Sequence, residues 1–123
     1  MLEPLVRKHF DFLFADYGFH VVSATPETVE AASDVCRVHF SLDRVNLFVD
    51  LEDPRQPGRL DLASLVRFKD PASNFAYKWC STPQKIEREA RRLAEALRRH
   101  GVDLLRGDFS QRAAIAAAGA ARP

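Results

Sequence analysis

Two runs of alternating apolar residues, separated by a short polar break, constrain this chain more than any other feature. The runs cover residues 35–42 and 45–52, and Asp43 and Arg44 lie between them. In each run every second residue is apolar, a period that is typical of a strand with one buried face. Two such runs around two polar residues predict an antiparallel hairpin. The rest of the chain must then cover the apolar face of this hairpin.

The bulk properties exclude several classes of protein. A chain of 123 residues is about one domain, and a formal net charge of +1 gives no overall field that favours nucleic acid or a membrane. The N-terminus lacks the basic and apolar regions of a signal peptide, and no apolar run is long enough to span a bilayer. We therefore expect a cytoplasmic protein. Cys36 and Cys80 lack metal-ligand spacing, so we expect two reduced thiols.

The elements before and after the hairpin follow from turn residues and periodicity. We predict a helix over residues 5–17 that ends at Gly18, and a strand over residues 19–25. Residues 26–34 show no clear period and predict a loop or a fraying strand. Residues 59–62 resume the strand alternation, and a bulge or a short helical turn accounts for the phase slip at residues 62–66.

The clearest local pattern is a helix that begins after Ser81 or Thr82 and ends at Gly101. Pro83 suits its first turn. One stripe of this helix is apolar and predicts a buried face; its residues are Ile86, Ala90, Leu93, Ala94 and Leu97. On the opposite face, the spacing predicts ion pairs between Glu87 and Arg91 and between Glu95 and Arg99.

This order of elements predicts an α+β fold with a four-stranded antiparallel meander sheet. An N-terminal helix precedes the sheet, and the C-terminal helix packs on one of its faces. We expect one domain over residues 1–112. Asp108 or Ser110 could cap a last helix that runs through Ile115. The Ala-rich residues 113–123 carry almost no large apolar side chain, so we expect this tail to fray.

Carboxylates on the polar side of the hairpin are the first candidates for chemistry. Asp50 and Glu52 share one face of their strand, and Asp53 and Asp61 could lie nearby. Such a cluster could bind Mg²⁺ or Ca²⁺, or act as an acid/base pair in a small hydrolase or nuclease. The polar faces of antiparallel sheets commonly carry charged residues for solubility, and we favour that interpretation.

Histidine and cysteine give weaker signals. His20 and His39 could lie on adjacent strands and form a metal site together with Asp50. Cys80 is the thiol that we expect to be exposed. The chain has none of the usual nucleophile, metalloprotease or nucleotide-binding motifs. We therefore expect no catalytic residue, no metal and no cofactor, and a protein that is not an enzyme.

The helix over residues 83–100 is locally basic, which raises nucleic-acid binding as an alternative. Arginines and Lys85 on its polar face lie just after Tyr77 and Trp79, and cations beside aromatic rings are typical of sites for single-stranded nucleic acid. Glutamates interspersed with the arginines oppose contact with phosphates. We favour a solvated, salt-bridged face and expect no nucleic acid.

Aromatic residues give the strongest indication of a protein partner. The first helix carries more aromatic surface than a one-sided contact needs, so it is either sandwiched in the core or forms a homodimer. Phe75, Tyr77 and Trp79 alternate in a loop-like segment and could be partner-binding residues or could fill the end of the core. Our candidate binding residues are the six on this segment and on the outer face of the hairpin: Arg37, His39, Phe48, Asp50, Tyr77 and Trp79.

Three short segments carry a resemblance to small bacterial proteins of uncharacterised function. They are Tyr17-Gly18-Phe19, the hairpin around Asp43 and Arg44, and residues 104–110, which read Leu-Leu-Arg-Gly-Asp-Phe-Ser. The chain resembles these proteins in the order of its elements over most of its length. Some of them are encoded near toxin systems and are regarded as immunity-like. The resemblance implies a protein-binding role and no catalytic residue.

Overall fold

The computed structural model describes residues 1–120, which form a five-stranded antiparallel sheet and six α-helices. The strands pair in chain order, from β1 to β5. Their bounds are β1 His20–Ala24, β2 Thr28–Ala32, β3 Arg37–Asp43, β4 Asn46–Glu52 and β5 Arg59–Asp61. The predicted α+β class and meander sheet are confirmed, with one more strand than predicted.

The central hairpin has the faces that the alternation predicts. Val38 pairs with Leu51 and Phe40 pairs with Val49, and all four side chains are buried. The turn lies one residue later than predicted, because Asp43 pairs with Asn46. Arg44 adopts a left-handed backbone with φ of 53° there. This hairpin supplies the middle of the core.

The additional strand is β2, in the region where we predicted a loop or a fraying strand. It pairs with β1 on one side and with β3 on the other. Val29 and Ala31 point to the core, but alanine is so small that the alternation is weak in the sequence. Because β2 separates β1 from β3, His20 and His39 lie two strands apart. The prediction that they occupy adjacent strands is wrong.

The six helices are α1 Glu3–His9, α2 Asp11–Asp16, α3 Leu62–Lys69, α4 Pro83–His100, α5 Val102–Leu105 and α6 Arg112–Ala120, with a short 3₁₀ turn at Pro71–Ser73. The predicted first helix is split in two at Phe10, where the backbone leaves helical geometry with φ of −105° and ψ of 29°. Phe10 and Phe12 are buried inside the chain. These two rings belong to the core, whereas Phe14 and Tyr17 stay half-buried, and a homodimer through this helix remains a prediction.

The long helix α4 has the predicted ends and the predicted buried stripe. The hydroxyl oxygen of Thr82 accepts a hydrogen bond from the N–H of Lys85 at 3.2 Å. The predicted ion pairs within α4 are wrong for the described chain. Glu87 instead contacts His9 and lies 3.2 Å from Nζ of Lys8, so it joins α4 to α1.

Helices α3 and α6 pack against each other. The phase slip after β5 is the start of α3, which Asp61 caps through the N–H of Ala63. Residues 112–120, where we expected a fraying tail from residue 113 onward, form α6. Ile115 is buried, and Gly119 lies so close to Ser64 that a Cβ there would be 2.2 Å from its Oγ. Residues 121–123 of the predicted tail lie outside the described residues.

Candidate functional site

The outer face of the sheet, opposite the buried aliphatic face, carries four of the six candidate residues. Arg37 is exposed, Phe48 and Asp50 are half-buried, and His39 is 9% exposed. His39 lies directly opposite Asp50 across β3 and β4. The alternation predicts that these two candidates share the outer face, and the register of the hairpin, which the sequence left open, brings them together.

His39 is held by carboxylates on two neighbouring strands. Its Nε2 lies 2.8 Å from Oε1 of Glu52, and its Nδ1 lies 3.7 Å from Oε1 of Glu30. Both ring nitrogens therefore face acidic groups, and His20 is too far across the sheet to join them. A hydrogen bond to Glu52 and a longer contact to Glu30 therefore hold the imidazole between the two carboxylates.

Asp50 and Asp61 face each other across β4 and β5. Burial raises the pKa of the Asp50 carboxyl and the charge of Asp61 raises it further, whereas the charges of Arg59 and His39 lower it. Asp53, the third predicted carboxylate, turns away and binds the guanidinium of Arg55 at 3.0 Å. Within residues 1–120, no three His, Cys, Asp or Glu side chains are grouped so that they could hold a metal ion.

Replacing Asp50 by asparagine is expected to increase the free energy of unfolding at pH 7. Because the pKa of Asp50 is higher in the folded than in the unfolded state, the native protein loses stability as the pH rises above the ordinary value of 3.8. The neutral amide avoids that loss, so its advantage should disappear below pH 3.8. Urea unfolding across this range measures the effect. The matched control is Asp43→Asn at an exposed site of the same hairpin; a pH-independent gain at residue 50 would contradict the prediction.

Tyr77 closes the sheet edge where β5 ends. Its hydroxyl contacts the carboxylate of Asp61, lies 3.0 Å from the Val49 carbonyl oxygen and accepts the N–H of Val49 at 3.4 Å. Its ring packs edge-on against Phe48, with 5.0 Å between centroids. Burial, followed by the charge of Asp61, raises the pKa of the Tyr77 hydroxyl. Tyr77 and Phe48 thus cover one another and protect the edge of β4.

The other two aromatic residues of the segment have opposite surroundings. Phe75 is half-buried under the guanidinium of Arg92, whose Cζ lies 4.4 Å from the ring centroid. Trp79 is 79% exposed. Of the three alternating aromatic residues, one seals the sheet, one is covered by an arginine, and only Trp79 offers its ring to solvent.

Unpaired cations surround Trp79. A cleft of about 220 Å³ lies between this indole and α4, and it is lined by Lys78, Trp79, Lys85, Arg88, Glu89 and Arg92. We call these six residues the Trp79 cleft. Within residues 1–120, Lys78, Lys85 and Arg88 form no ion pair within 4.0 Å. Three positive charges are therefore available beside an exposed tryptophan.

Glu89 holds the Trp79 segment against α4. It is 4% exposed and accepts hydrogen bonds from Nε and Nη2 of Arg92 at 2.8 and 2.9 Å. Its Oε2 also accepts the backbone N–H of Lys78 at 2.9 Å. Sequence periodicity places Glu89 on the polar face of α4 and does not reveal this role. The one indication of it in the sequence is Arg92, which lies three residues later at a spacing that allows an ion pair. The one carboxylate of the cleft is thus already neutralised.

Cys80 is buried, so the prediction that it is an exposed thiol is wrong. Its N–H donates to the carbonyl oxygen of Val45 at 2.7 Å, which anchors the segment to the residue just before β4. Burial, and then the charge of Glu89, raises the pKa of its thiol, so the environment disfavours a reactive thiolate. Cys36 is buried with the core face of the hairpin, as predicted.

Comparison of the chain with protein-family models, with curated proteins and with solved structures gave no match. None of the helices within the described part of the chain is both long enough and apolar enough to cross a bilayer. The geometry of the two surfaces described above therefore carries the functional argument.

Proposed function

We propose that this chain is a protein-binding domain that contacts its partner through Trp79. The observation that carries the proposal is the 79% exposure of this indole, on a segment that hydrogen bonds tie to both β4 and α4. Exposed tryptophans on a fixed backbone are the residues in which binding energy between proteins concentrates. Because the backbone on both sides of Trp79 is already held before binding, the entropy cost of association is kept low.

The protein-binding role that the resemblance implies, including one as an immunity-type or accessory factor, needs only such a contact surface. The outer sheet face is a weaker candidate for the contact. There His39 already contacts two glutamates, and Phe48 and Tyr77 pack on each other. Partner binding at Trp79 requires no internal interaction to be broken.

Replacing Trp79 by alanine is expected to weaken partner binding by about 30-fold, because loss of a hot-spot side chain costs about 2 kcal/mol or more. The measurement is affinity purification with quantitative mass spectrometry, followed by titration of the purified partner. The matched control is Val22→Ala, which truncates another exposed apolar side chain, 52% exposed and on β1. Partners that bind the Trp79→Ala protein as tightly as the wild type would refute the proposal.

A further inference from the structure

The charge of the Trp79 cleft deepens the proposed function, on which this inference rests, by indicating the chemistry of the partner. Four cations and one carboxylate line the cleft. The carboxylate of Glu89 is occupied by Arg92 and by the N–H of Lys78, so it is not free to repel an incoming anion at close range. Lys78, Lys85 and Arg88 keep unpaired charges among the described residues.

In the sequence, the glutamates of α4 argue against an anionic ligand. In the structure, the two glutamates nearest the cleft already have positively charged partners within the protein. Glu87 contacts Lys8 and His9 of α1, and Glu89 binds Arg92. Lys78, Lys85 and Arg88 of the cleft form no ion pair within 4.0 Å to any described residue. A protein of net charge +1 therefore presents a local concentration of positive charge beside its exposed indole.

We infer that the Trp79 cleft binds an acidic segment of a protein partner, with a carboxylate between Lys85 and Arg88 and an apolar part against the indole. Guanidinium and ammonium groups form short, charge-assisted hydrogen bonds with carboxylates. A matching negative patch on the partner would also speed encounter and fix the orientation of binding. The cleft volume of about 220 Å³ suits a side chain and is below the usual range for a drug-sized ligand.

The same cations could meet phosphates, but the surroundings favour a protein over single-stranded nucleic acid. Nucleic-acid sites of that kind stack several bases on successive aromatic rings along a basic track. Here Tyr77 is engaged at the sheet edge and Phe75 is covered by Arg92, so Trp79 alone is available for stacking. Glu95 is exposed further along α4 and interrupts the basic face.

Trp79 is the only tryptophan of the chain, so its fluorescence reports on this cleft directly. The experiment titrates the full chain with a short oligoglutamate peptide, an oligoglutamine peptide of equal length and an oligothymidylate of equal charge. We expect a saturable change in fluorescence with oligoglutamate, no change with oligoglutamine, and weaker binding of the oligothymidylate. A null result with oligoglutamate, or tighter binding of the oligothymidylate, would overturn the inference.

Charge reversal at Lys85 and Arg88 supplies the variant test. The double variant Lys85→Glu, Arg88→Glu keeps the tryptophan reporter and is expected to lose at least about tenfold in affinity for oligoglutamate. The control Arg99→Glu reverses an exposed arginine at the other end of α4 and should change affinity by less than about twofold. The double variant Lys85→Gln, Arg88→Gln replaces the first one if reversal disturbs folding. Equal losses in the Arg99→Glu control would show nonspecific attraction and overturn the inference.

The two proposals fail in different ways. If the cellular partner is lost on Trp79→Ala but retained on charge reversal, the protein-binding function stands and the acidic partner is refuted. If the partner is retained on both changes, both proposals are refuted.

Discussion

Replacing Phe10 by alanine is expected to lower the free energy of unfolding by about 3–5 kcal/mol, the usual loss for a fully buried phenylalanine. Phe10 is completely buried at the junction of α1 and α2. Its ring meets the ring of Phe40 on β3 edge-on, with 4.7 Å between centroids. Truncation therefore leaves a cavity between the N-terminal helices and the middle of the sheet, and it also removes the aromatic pair.

The matched control for Phe10 is Phe14→Ala. Phe14 lies in the same helical region but is only half-buried, and the guanidinium of Arg7 covers its ring at 5.5 Å. Its truncation should cost less, about 1–2 kcal/mol, because part of the ring stays exposed in the folded chain. Urea unfolding followed by far-ultraviolet circular dichroism measures both changes. Equal losses for the two substitutions would contradict the packing described for Phe10.

Replacing Glu89 by alanine is expected to lower the free energy of unfolding by about 3–5 kcal/mol, because it leaves a partly buried guanidinium without its partner. Glu89 is almost wholly buried and receives three hydrogen bonds, two from Arg92 and one from the N–H of Lys78. Without them, residues 75–80 lose a main attachment to α4. The steady-state fluorescence anisotropy of Trp79 should therefore fall at temperatures where the protein is still folded.

Glu95→Ala is the control for Glu89, since it removes an exposed carboxylate from the same helix. It should change stability by no more than about 0.5 kcal/mol. Glu89→Gln keeps the shape and an acceptor oxygen for the N–H of Lys78, so its loss should be intermediate. An unchanged anisotropy in the folded Glu89→Ala protein would mean that the contacts of Tyr77 and Cys80 with β4 are sufficient to hold the segment.

The hairpin and α4 could be predicted from sequence because their determinants are local. Strict alternation sets the inward face of β3 and β4, and Thr82, Pro83 and Gly101 mark the ends of α4. Side chains four residues apart on α4 were expected to pair, yet Glu87 contacts Lys8 and His9 instead. Which partner a surface glutamate contacts is decided by tertiary neighbours that periodicity does not reveal.

The candidate site could be predicted only in part. The alternation of Phe75, Tyr77 and Trp79 is visible in the sequence, but their directions depend on where β5 ends and on how α4 crosses the sheet. β5 pairs only with residues 50–52 of β4, so the Tyr77 hydroxyl bonds the backbone of Val49 on that side, and Arg92 covers Phe75. The sequence also left open whether β2 is a strand or a loop, because its alternation is weak. Its inward residues include the small side chain of Ala31, whose burial gives little pattern to detect.

The two buried cysteines allow partial opening of the native protein to be followed at two places. Cys36 lies beside the central hairpin, where burial raises the pKa of its thiol to about 12, and Cys80 lies at the end of the Trp79 segment. An alkylating reagent can reach either thiol only after local separation of the chain, so each modification rate measures an opening equilibrium. Comparison of the two rates would show whether the segment detaches from the sheet before the sheet itself comes apart.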